Sequence, residues 1–120
     1  MPFTFYDING NPVAYTEDDK YIYLFSGEPV AYLYNESVYE YNGKHLGFFI
    51  NGWIRDHNGE CVFYTETARG PGPVKPIKRV KPIKGIKGIK PIKSIRQVKP
   101  VKPIKKLTWS SLSSIQFFNQ

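Results

Sequence analysis

Residues Phe5–Thr16 read FYDINGNPVAYT, and the same pattern of residue types returns three more times before residue 66. Aligned on their glycines, the other segments are IYLFSGEPVAYL (Ile22–Leu33), VYEYNGKHLGFF (Val38–Phe49) and IRDHNGECVFYT (Ile54–Thr65). Asn or Ser precedes each of the aligned glycines, which are Gly10, Gly27, Gly43 and Gly59. Asn-Gly and Ser-Gly supply the positive φ that tight hairpin turns require. Each segment is therefore predicted to be a strand, a tight turn and a second strand.

Apolar residues occupy fixed columns after each glycine. An aliphatic residue comes three positions later and an aromatic residue two further on. Residues two apart in a strand point to the same side, so both columns are predicted to share one face of the sheet. The predicted apolar core, and the possible lining of an apolar-ligand site, is Val13, Tyr15, Val30, Tyr32, Leu46, Phe48, Val62 and Tyr64.

The ends of the repeat predict closure. The chain opens with a strand, Phe3–Asp7, that precedes a glycine turn, and the strand Cys61–Glu66 has no following partner. Pairing these two strands removes both exposed sheet edges. The predicted fold is all-β, with four hairpins closed into a shallow pseudo-four-fold barrel over residues 1–69. An extended tail over residues 70–106 and a short C-terminal segment over residues 107–120 complete the predicted organisation.

From Pro73 to Lys105 the chain repeats every three residues, as PVK PIK RVK PIK GIK GIK PIK SIR QVK PVK PIK. A period of three fits polyproline II, a helix with three residues per turn. All aliphatic side chains then fall on one edge and all basic ones on a second. At about 3.1 Å per residue such a tail spans roughly 100 Å. The basic edge, predicted to bind a partner, is Lys75, Lys78, Lys81, Lys84, Lys87, Lys90, Lys93, Arg96, Lys99, Lys102 and Lys105.

The tail has two interpretations. One is a solvated low-complexity linker. The other is a tail ordered by docking on the acidic body, on sister tails or on a partner, with its aliphatic edge covered. The second is favoured, because a disordered linker gains nothing from keeping eleven Val or Ile residues at constant spacing.

Charge divides the chain in two. Residues 1–70 hold four bases and all ten acids, a net charge of −6, whereas residues 71–120 hold thirteen bases and no acid. The single Cys61 forms no internal disulfide, which favours a reducing compartment and a cytoplasmic location. With no apolar h-region in the first residues and no apolar run of 18 residues, the sequence predicts neither secretion nor a membrane span.

The repeat and the tail together resemble the four-fold β-flower family, a bacterial-type module of four hairpin petals around a shallow central barrel. The resemblance is carried by NGNPVAY, SGEPVAY, NGKHLGFFINGWIRDHNG, the K-P-I-K tail and the final K-x-L-T-W-S at Lys105–Ser110. It covers nearly the whole chain and implies a fold. It implies no catalytic site.

Candidate chemistry in the body is sparse. His45, His57 and Cys61, with Asp56 nearby, match no zinc-binding spacing and are interpreted as structural. Asp7, Glu40 and Asp56 share a column and are predicted to form a solvated ring of acids rather than an acid–base pair. No catalytic residue, metal site or cofactor is therefore predicted, and the protein is not expected to be an enzyme.

The last segment is predicted to contain a short helix capped by Ser110 or Ser111. Leu112, Ile115 and Phe118 would share its apolar face, which would plug the barrel or bind a second copy. The alternative is a frayed terminus with exposed phenylalanines.

The predicted function is a non-enzymatic binding or assembly module. Its acidic β head would carry a basic tail that contacts an anionic partner, which would be a membrane surface, a nucleic acid or an acidic protein, or that associates with sister tails. The alternatives are peripheral membrane or lipid binding, binding of an apolar ligand in the barrel, and sequence-independent binding of nucleic acid through phosphates.

Overall fold

The computed structural model describes residues 2–112 and 114–120. Within them the body folds into eight strands. In chain order they are β1 (Phe3–Tyr6), β2 (Pro12–Thr16), β3 (Tyr21–Leu24), β4 (Pro29–Tyr34), β5 (Ser37–Tyr39), β6 (His45–Ile50), β7 (Trp53–Arg55) and β8 (Cys61–Tyr64). Each strand pairs with its sequence neighbour in antiparallel fashion, and the sheet closes into a barrel. The predicted all-β barrel of four hairpins is confirmed.

The turns have the predicted chemistry. Gly10, Gly27, Gly43 and Gly59 all have positive φ, between 78° and 100°. At the opposite ends of the hairpins, Asp19, Asn35, Glu36, Asn51 and Gly52 also have positive φ. All four of these glycine turns therefore lie at one end of the barrel. The turns that contain Asp19, Asn35 and Asn51 lie at the other end.

The interior is built from pairs of residues on facing strands. Each of the four hairpins places a large residue opposite a second residue: Phe5 opposite Ala14, Ile22 opposite Ala31, Val38 opposite Gly47, and Ile54 opposite Phe63. All of these side chains are fully buried. Three of the four pairs combine a large residue with a small one, which keeps the barrel narrow enough for side chains to fill.

The predicted aliphatic column does contact the barrel core, through Leu46, Val62, Val13 and Val30, but the prediction is wrong for the tyrosines. The residues that follow the glycines by four positions, among them Ala14, Ala31 and Phe63, lie in the central core. Tyr15, Tyr32 and Tyr64 belong instead to three separate clusters away from that core. The small residues between the two predicted columns therefore face inward, and these tyrosines lie on the outer wall.

The seam of the barrel is completed by the C-terminal segment. β1 and β8 pair with each other, as predicted, but only Tyr6 and Tyr64 are in register. Next to this pair, Cys61 of β8 pairs in parallel with Trp109. The Cys61 N–H donates to the Thr108 carbonyl at 3.0 Å, and the Ser110 N–H donates to the Cys61 carbonyl at 2.8 Å. The K-x-L-T-W-S segment thus supplies the neighbour that β1 does not.

A 3-10 helix, Ser114–Asn119, closes one end of the barrel. Phe117 and Phe118 are 0 % and 2 % exposed and join the central core, where Phe118 stacks on Phe63 at 5.6 Å between ring centroids. The predicted plug is therefore present, and the frayed terminus is wrong. Of the predicted apolar face, Phe118 is buried and Leu112 packs against the core, but Ile115 is 48 % exposed, so the prediction is wrong at that residue.

Candidate functional site

The tail, residues 70–106, wraps around the outside of the barrel and is fixed to it at intervals of nine residues. Its backbone N–H groups donate to the carbonyl oxygen of each turn glycine. The four bonds are Arg79 to Gly10 (2.9 Å), Gly88 to Gly27 (2.8 Å), Gln97 to Gly43 (2.8 Å) and Lys106 to Gly59 (3.1 Å). Of the docking modes considered from the sequence, the structure shows docking on the acidic body of the same chain.

A nine-residue period lies inside the three-residue period and was missed at the sequence level. Among the residues of the third edge, Pro73, Pro82, Pro91 and Pro100 recur every nine positions. The third and sixth positions after each of these prolines are Pro76 and Arg79, Gly85 and Gly88, Ser94 and Gln97, and Pro103 and Lys106. Every residue among them that is not proline donates its backbone N–H to the body. Proline has no N–H, so its absence from selected positions marks where the tail donates hydrogen bonds. The spacing of non-proline residues was the available signal.

The dimensions agree with this wrapping. The molecule measures 36 × 35 × 25 Å. Three intervals of nine residues at the polyproline II rise span about 84 Å, and three-quarters of a circle 36 Å across is about 85 Å. One interval therefore advances the tail by one hairpin petal.

The turn glycines allow the close approach of the tail. A Cβ added to Gly27 would lie 2.0 Å from the carbonyl oxygen of Ile86. The corresponding distance is 2.0–2.1 Å at Gly10, Gly43 and Gly59. These glycines therefore serve both the positive φ of the turn and the contact with the tail.

The basic edge of the tail faces the outer wall of the barrel. Its cations lie over tyrosine rings: Lys84 is 4.4 Å from the ring centroid of Tyr15, and Lys90 is 3.8 Å from that of Tyr21. Others pair with carboxylates, as Lys81 does with Glu66 at 3.6 Å. The hydrogen bond from Lys87, followed by that from Lys84, lowers the pKa of the Glu17 carboxyl.

The remaining predicted partner-binding bases make similar contacts with the body. Lys75 donates to the Ala68 carbonyl, Lys78 lies over Tyr6 and Tyr64, Lys93 donates to the Tyr21 hydroxyl, Arg96 lies over Tyr34, Lys99 donates to the Asn35 carbonyl, and Lys102 pairs with Glu36. Lys105 lies close enough to Glu36 to contribute to the lowered pKa of that carboxyl, which is caused mainly by Lys102. The paired lysine side chains still expose about half of their surface, 44–52 %.

The aliphatic edge of the tail faces solvent, contrary to the expectation that it is covered. We call it the aliphatic rim. Its members are 84–96 % exposed: Val74, Ile77, Val80, Ile83, Ile86, Ile89, Ile92, Ile95, Val98, Val101 and Ile104. In a helix with three residues per turn the edges lie 120° apart. Since one edge bonds to the glycine turns and a second lies along the wall, the third points away from the barrel.

Arg55 holds the two ends of the tail together. It occupies the repeat column of Tyr6, Tyr23 and Tyr39, and only 2 % of its surface is exposed. Its guanidinium donates to the carbonyl oxygens of Gly59, of Lys106 at the end of the tail and of Pro71 near its start. Because the sequence analysis gave Arg55 no role, this is a functional residue that it missed.

The predicted lining residues are divided between two environments. Leu46 and Val62 lie in the central core, and Val13 and Val30 pack against its edge. Tyr15, Tyr32 and Tyr64 lie beneath Lys84, Lys93 and Lys78 of the tail. Phe48 is buried against His45 and His57. The structure therefore does not bring these eight residues together around one space.

The histidines form a small buried network. His45 Nδ1 lies 2.9 Å from His57 Nε2, and His45 Nε2 lies 2.9 Å from the Ser37 hydroxyl. Burial, with a contribution from His57, lowers the pKa of His45 to about 4. The backbone N–H of His45 donates to the side-chain oxygen of Gln97 at 2.8 Å, which connects strand β6 to the tail. Burial also raises the pKa of Cys61 to about 11, so its thiol is protonated at neutral pH.

The expectation of a solvated acid ring is wrong for two of its three members. Asp7 and Asp56 are 7 % and 5 % exposed. Asp7 accepts the N–H groups of Asn9 and Asn11, each at 2.9 Å. Asp56 likewise accepts two N–H groups of its own turn and the Ser110 hydroxyl. These carboxylates stabilise turns instead of facing water.

Two features of the residues that the structure describes, 2–112 and 114–120, bear on metal binding and membrane crossing. These residues contain no group of three or more His, Cys, Asp and Glu side chains placed to bind a metal ion. In the same residues, no helix has the length and apolar character needed to cross a bilayer.

Comparison with family models matches residues 3–118 to the model described as 4-fold beta flower protein. Comparison with curated proteins and with solved structures gave no match.

Proposed function

This chain belongs to the 4-fold beta flower family, and we propose that it is a non-enzymatic binding module that attaches to the surface of an anionic lipid bilayer through its aliphatic rim. The observation that carries the proposal is the exposure of the rim on a backbone that is held in place. Soluble monomers rarely expose a large contiguous apolar patch, and such patches mark interaction sites. Here eleven aliphatic side chains are 84–96 % exposed.

The fixed backbone favours binding through the rim. The tail is bonded to the glycine turns at four equivalent points, so its aliphatic side chains are ordered before any partner arrives. Binding through a preorganised surface avoids the loss of chain entropy that a flexible tail would suffer.

The rim fits a flat partner. Ile77, Ile86, Ile95 and Ile104 contact the four equivalent glycines, so the pseudo-four-fold axis places them at the same height on the barrel. The C-terminal helix lies at this end too, where Phe118 and Asn119 line a cavity together with Glu28 and Asn42 of the glycine turns. Leu107 and Ile115, 64 % and 48 % exposed, add apolar surface there.

Charge favours a lipid surface over a second copy. Half-exposed lysines run alongside the rim, so two rims packed together would bring like charges into contact. These lysines have carboxylate partners on the body, but the chain as a whole carries a net charge of +7, and an anionic bilayer attracts unpaired bases near its surface by about 1 kcal/mol each. Its acyl layer also adapts to side chains that stand about 9 Å apart along a polyproline II helix.

The test compares the full chain with an Ile83→Ser, Ile89→Ser, Ile95→Ser variant in co-sedimentation with vesicles. The vesicles contain phosphatidylglycerol and phosphatidylcholine, or phosphatidylcholine alone. Wild-type protein is expected to bind the anionic vesicles, and the variant is expected to bind at least about tenfold more weakly because it loses apolar contact. Each replaced residue is 96 % exposed, so the melting temperature should stay unchanged.

A matched control replaces Lys84 and Lys87 with Gln. These bases lie on the neighbouring edge, and their loss should weaken binding mainly at low salt. The proposal is overturned if wild-type protein does not co-sediment with anionic vesicles. Light scattering that shows rim-dependent oligomers without lipid assigns the rim to self-association instead. Binding to an oligonucleotide that survives the Ile→Ser changes is a separate property of the bases and does not support the proposal.

A further inference from the structure

A cavity of about 570 Å³ lies between the tail and the hairpin formed by β4 and β5. Three cations line it, Lys93, Arg96 and Lys99, and none of its lining residues is acidic. Tyr34 and Tyr39 supply phenol groups on the body side. A cavity of this size accommodates a small charged ligand together with the group that carries it.

The preceding petal shows why this cavity has an excess of positive charge. Nine residues earlier in the tail, Lys84 and Lys87 occupy the positions equivalent to Lys93 and Arg96, and both bind the carboxylate of Glu17. The body residue equivalent to Glu17 is Tyr34, seventeen positions later. The repeat therefore keeps both cations but replaces their carboxylate with a neutral phenol.

The contacts of these cations agree with this difference. The Arg96 guanidinium carbon lies over the Tyr34 ring, 3.7 Å from its centroid, and Lys93 donates to the Tyr21 hydroxyl at 3.1 Å. The pKa of Tyr21 is lowered, chiefly by this hydrogen bond and also by the charges of Lys93, Lys20 and Lys90. Glu36, the nearest acid along the chain, pairs with Lys102, and the charge of Lys99 also contributes to the lowered pKa of that carboxyl.

We propose that this cavity binds a phosphate-bearing anion, with Arg96 and Lys93 as its principal ligands and Lys99 as a third. A planar guanidinium offers two parallel N–H groups to phosphate oxygens, and the ammonium groups add charge from either side. The Tyr34 ring beneath Arg96 holds the guanidinium plane in place without neutralising it. The tail positions the ligands because Ser94 and Gln97 bond to Tyr41 and Gly43 through their N–H groups.

The phosphate has two possible sources with the same chemistry: a soluble phosphate compound or a lipid headgroup with an exposed phosphate monoester. Ile95 of the aliphatic rim also lines this cavity, but the proposed phosphate ligands all lie on the basic edge. Binding of a soluble phosphate would stand even if the rim bound no bilayer.

The experiment titrates the full chain with pyrophosphate and follows tyrosine fluorescence and calorimetric heat. A Lys93→Gln, Arg96→Gln variant is compared with a Lys84→Gln, Lys87→Gln variant, which removes the same charge from the equivalent positions of the preceding petal. We expect saturable binding that weakens at least about tenfold in the first variant and stays within about twofold of wild type in the second. Arg96→Lys keeps the charge without the planar fork and should give an intermediate affinity.

A second arm uses vesicles that contain phosphatidic acid or phosphatidylglycerol at matched surface charge. Preference for phosphatidic acid that depends on Lys93 and Arg96, in the absence of pyrophosphate binding, supports the site with a lipid headgroup as the source. Equal losses in the two double variants, or binding that never saturates, overturn the proposal. Melting curves of both variants confirm that each is folded before the affinities are compared.

Discussion

The guanidinium of Arg55 donates a hydrogen bond of 2.9 Å to the carbonyl oxygen of Lys106, fifty-one residues later in the chain. The same side chain also binds Pro71, so a single buried cation joins the beginning and the end of the wrapped tail. A short β strand thereby controls a segment that has no hydrogen-bonded secondary structure of its own.

We predict that Arg55→Met destabilises the protein by about 2–4 kcal/mol, because it leaves buried carbonyl groups without their charged donor. Amide exchange should accelerate near Lys106 more than in β3 and β4. Urea denaturation and hydrogen exchange measure the two effects. Arg69→Met is the control, since that side chain is exposed and should change stability by less than about 0.5 kcal/mol. Equal effects of the two substitutions would contradict the clamp.

Gly27→Ala should be more harmful than Gly70→Ala. Both glycines have positive φ, at 100° and 77°, so both alanines carry the backbone cost of about 1–2 kcal/mol. Only at Gly27 does the new Cβ meet the tail, 2.0 Å from the Ile86 carbonyl oxygen, whereas at Gly70 the nearest atom is 3.6 Å away. Limited proteolysis should therefore cut the tail near Ile86 in the first variant and not in the second. Matching cleavage rates would show that the glycine does not hold the tail.

The barrel plug predicts different results for neighbouring residues. Phe117→Ala removes a ring that is fully buried against Phe63 and should cost about 3–5 kcal/mol in the free energy of unfolding. Ile115→Ala, at a residue 48 % exposed, should cost less than about 1 kcal/mol. Thermal or urea unfolding distinguishes the two, and a larger loss at Ile115 would mean that the helix presents its other face to the core.

Stability should fall on mild acidification because of His45. Burial lowers its pKa from 6.5 to about 4, so the unfolded chain binds a proton over a pH range in which the folded protein does not. The contribution of neutral His45 is therefore complete above pH 6.5 and is lost as the pH falls towards 4, by an amount on the order of 2–3 kcal/mol. Urea denaturation at several pH values measures this slope.

His45→Gln is the control for the pH effect and should flatten the slope between pH 6.5 and 4.5. Glu17 and Glu36 have lowered pKa values, so their ion pairs weaken only below their ordinary value of 4.5. A variant with the wild-type slope above pH 4.5 would assign the effect to another group.

The sequence predicts the body well because its information is local. Asn-Gly and Ser-Gly determine the turns, and the unpaired strands at the two ends of the repeat predict closure. The face that lines the barrel could not be read in the same way. Tyr15 and Tyr32 are large and apolar enough to predict a core, and only the packed structure shows that Ala14 and Ala31 face inward while the tail covers the tyrosines.

The period of three in the tail sequence predicts how its side chains are distributed, but it does not predict which of its edges faces the body. It places Ile and Lys on separate edges. Hydrophobicity alone favours Ile83 inside and Lys84 outside. In the structure Lys84 binds Glu17 and lies over Tyr15, and Ile83 is 96 % exposed. The outer wall is acidic and aromatic, a surface that attracts cations more than aliphatic groups.

The nine-residue interval of the tail also means that the length of the tail has to match the circumference of the barrel. Inserting one further Pro-Ile-Lys triplet would preserve every local preference of the tail and still move all later residues away from their glycines. Only a nine-residue insertion accompanied by one additional hairpin would restore the match. The number of petals and the length of the tail are therefore coupled in this fold.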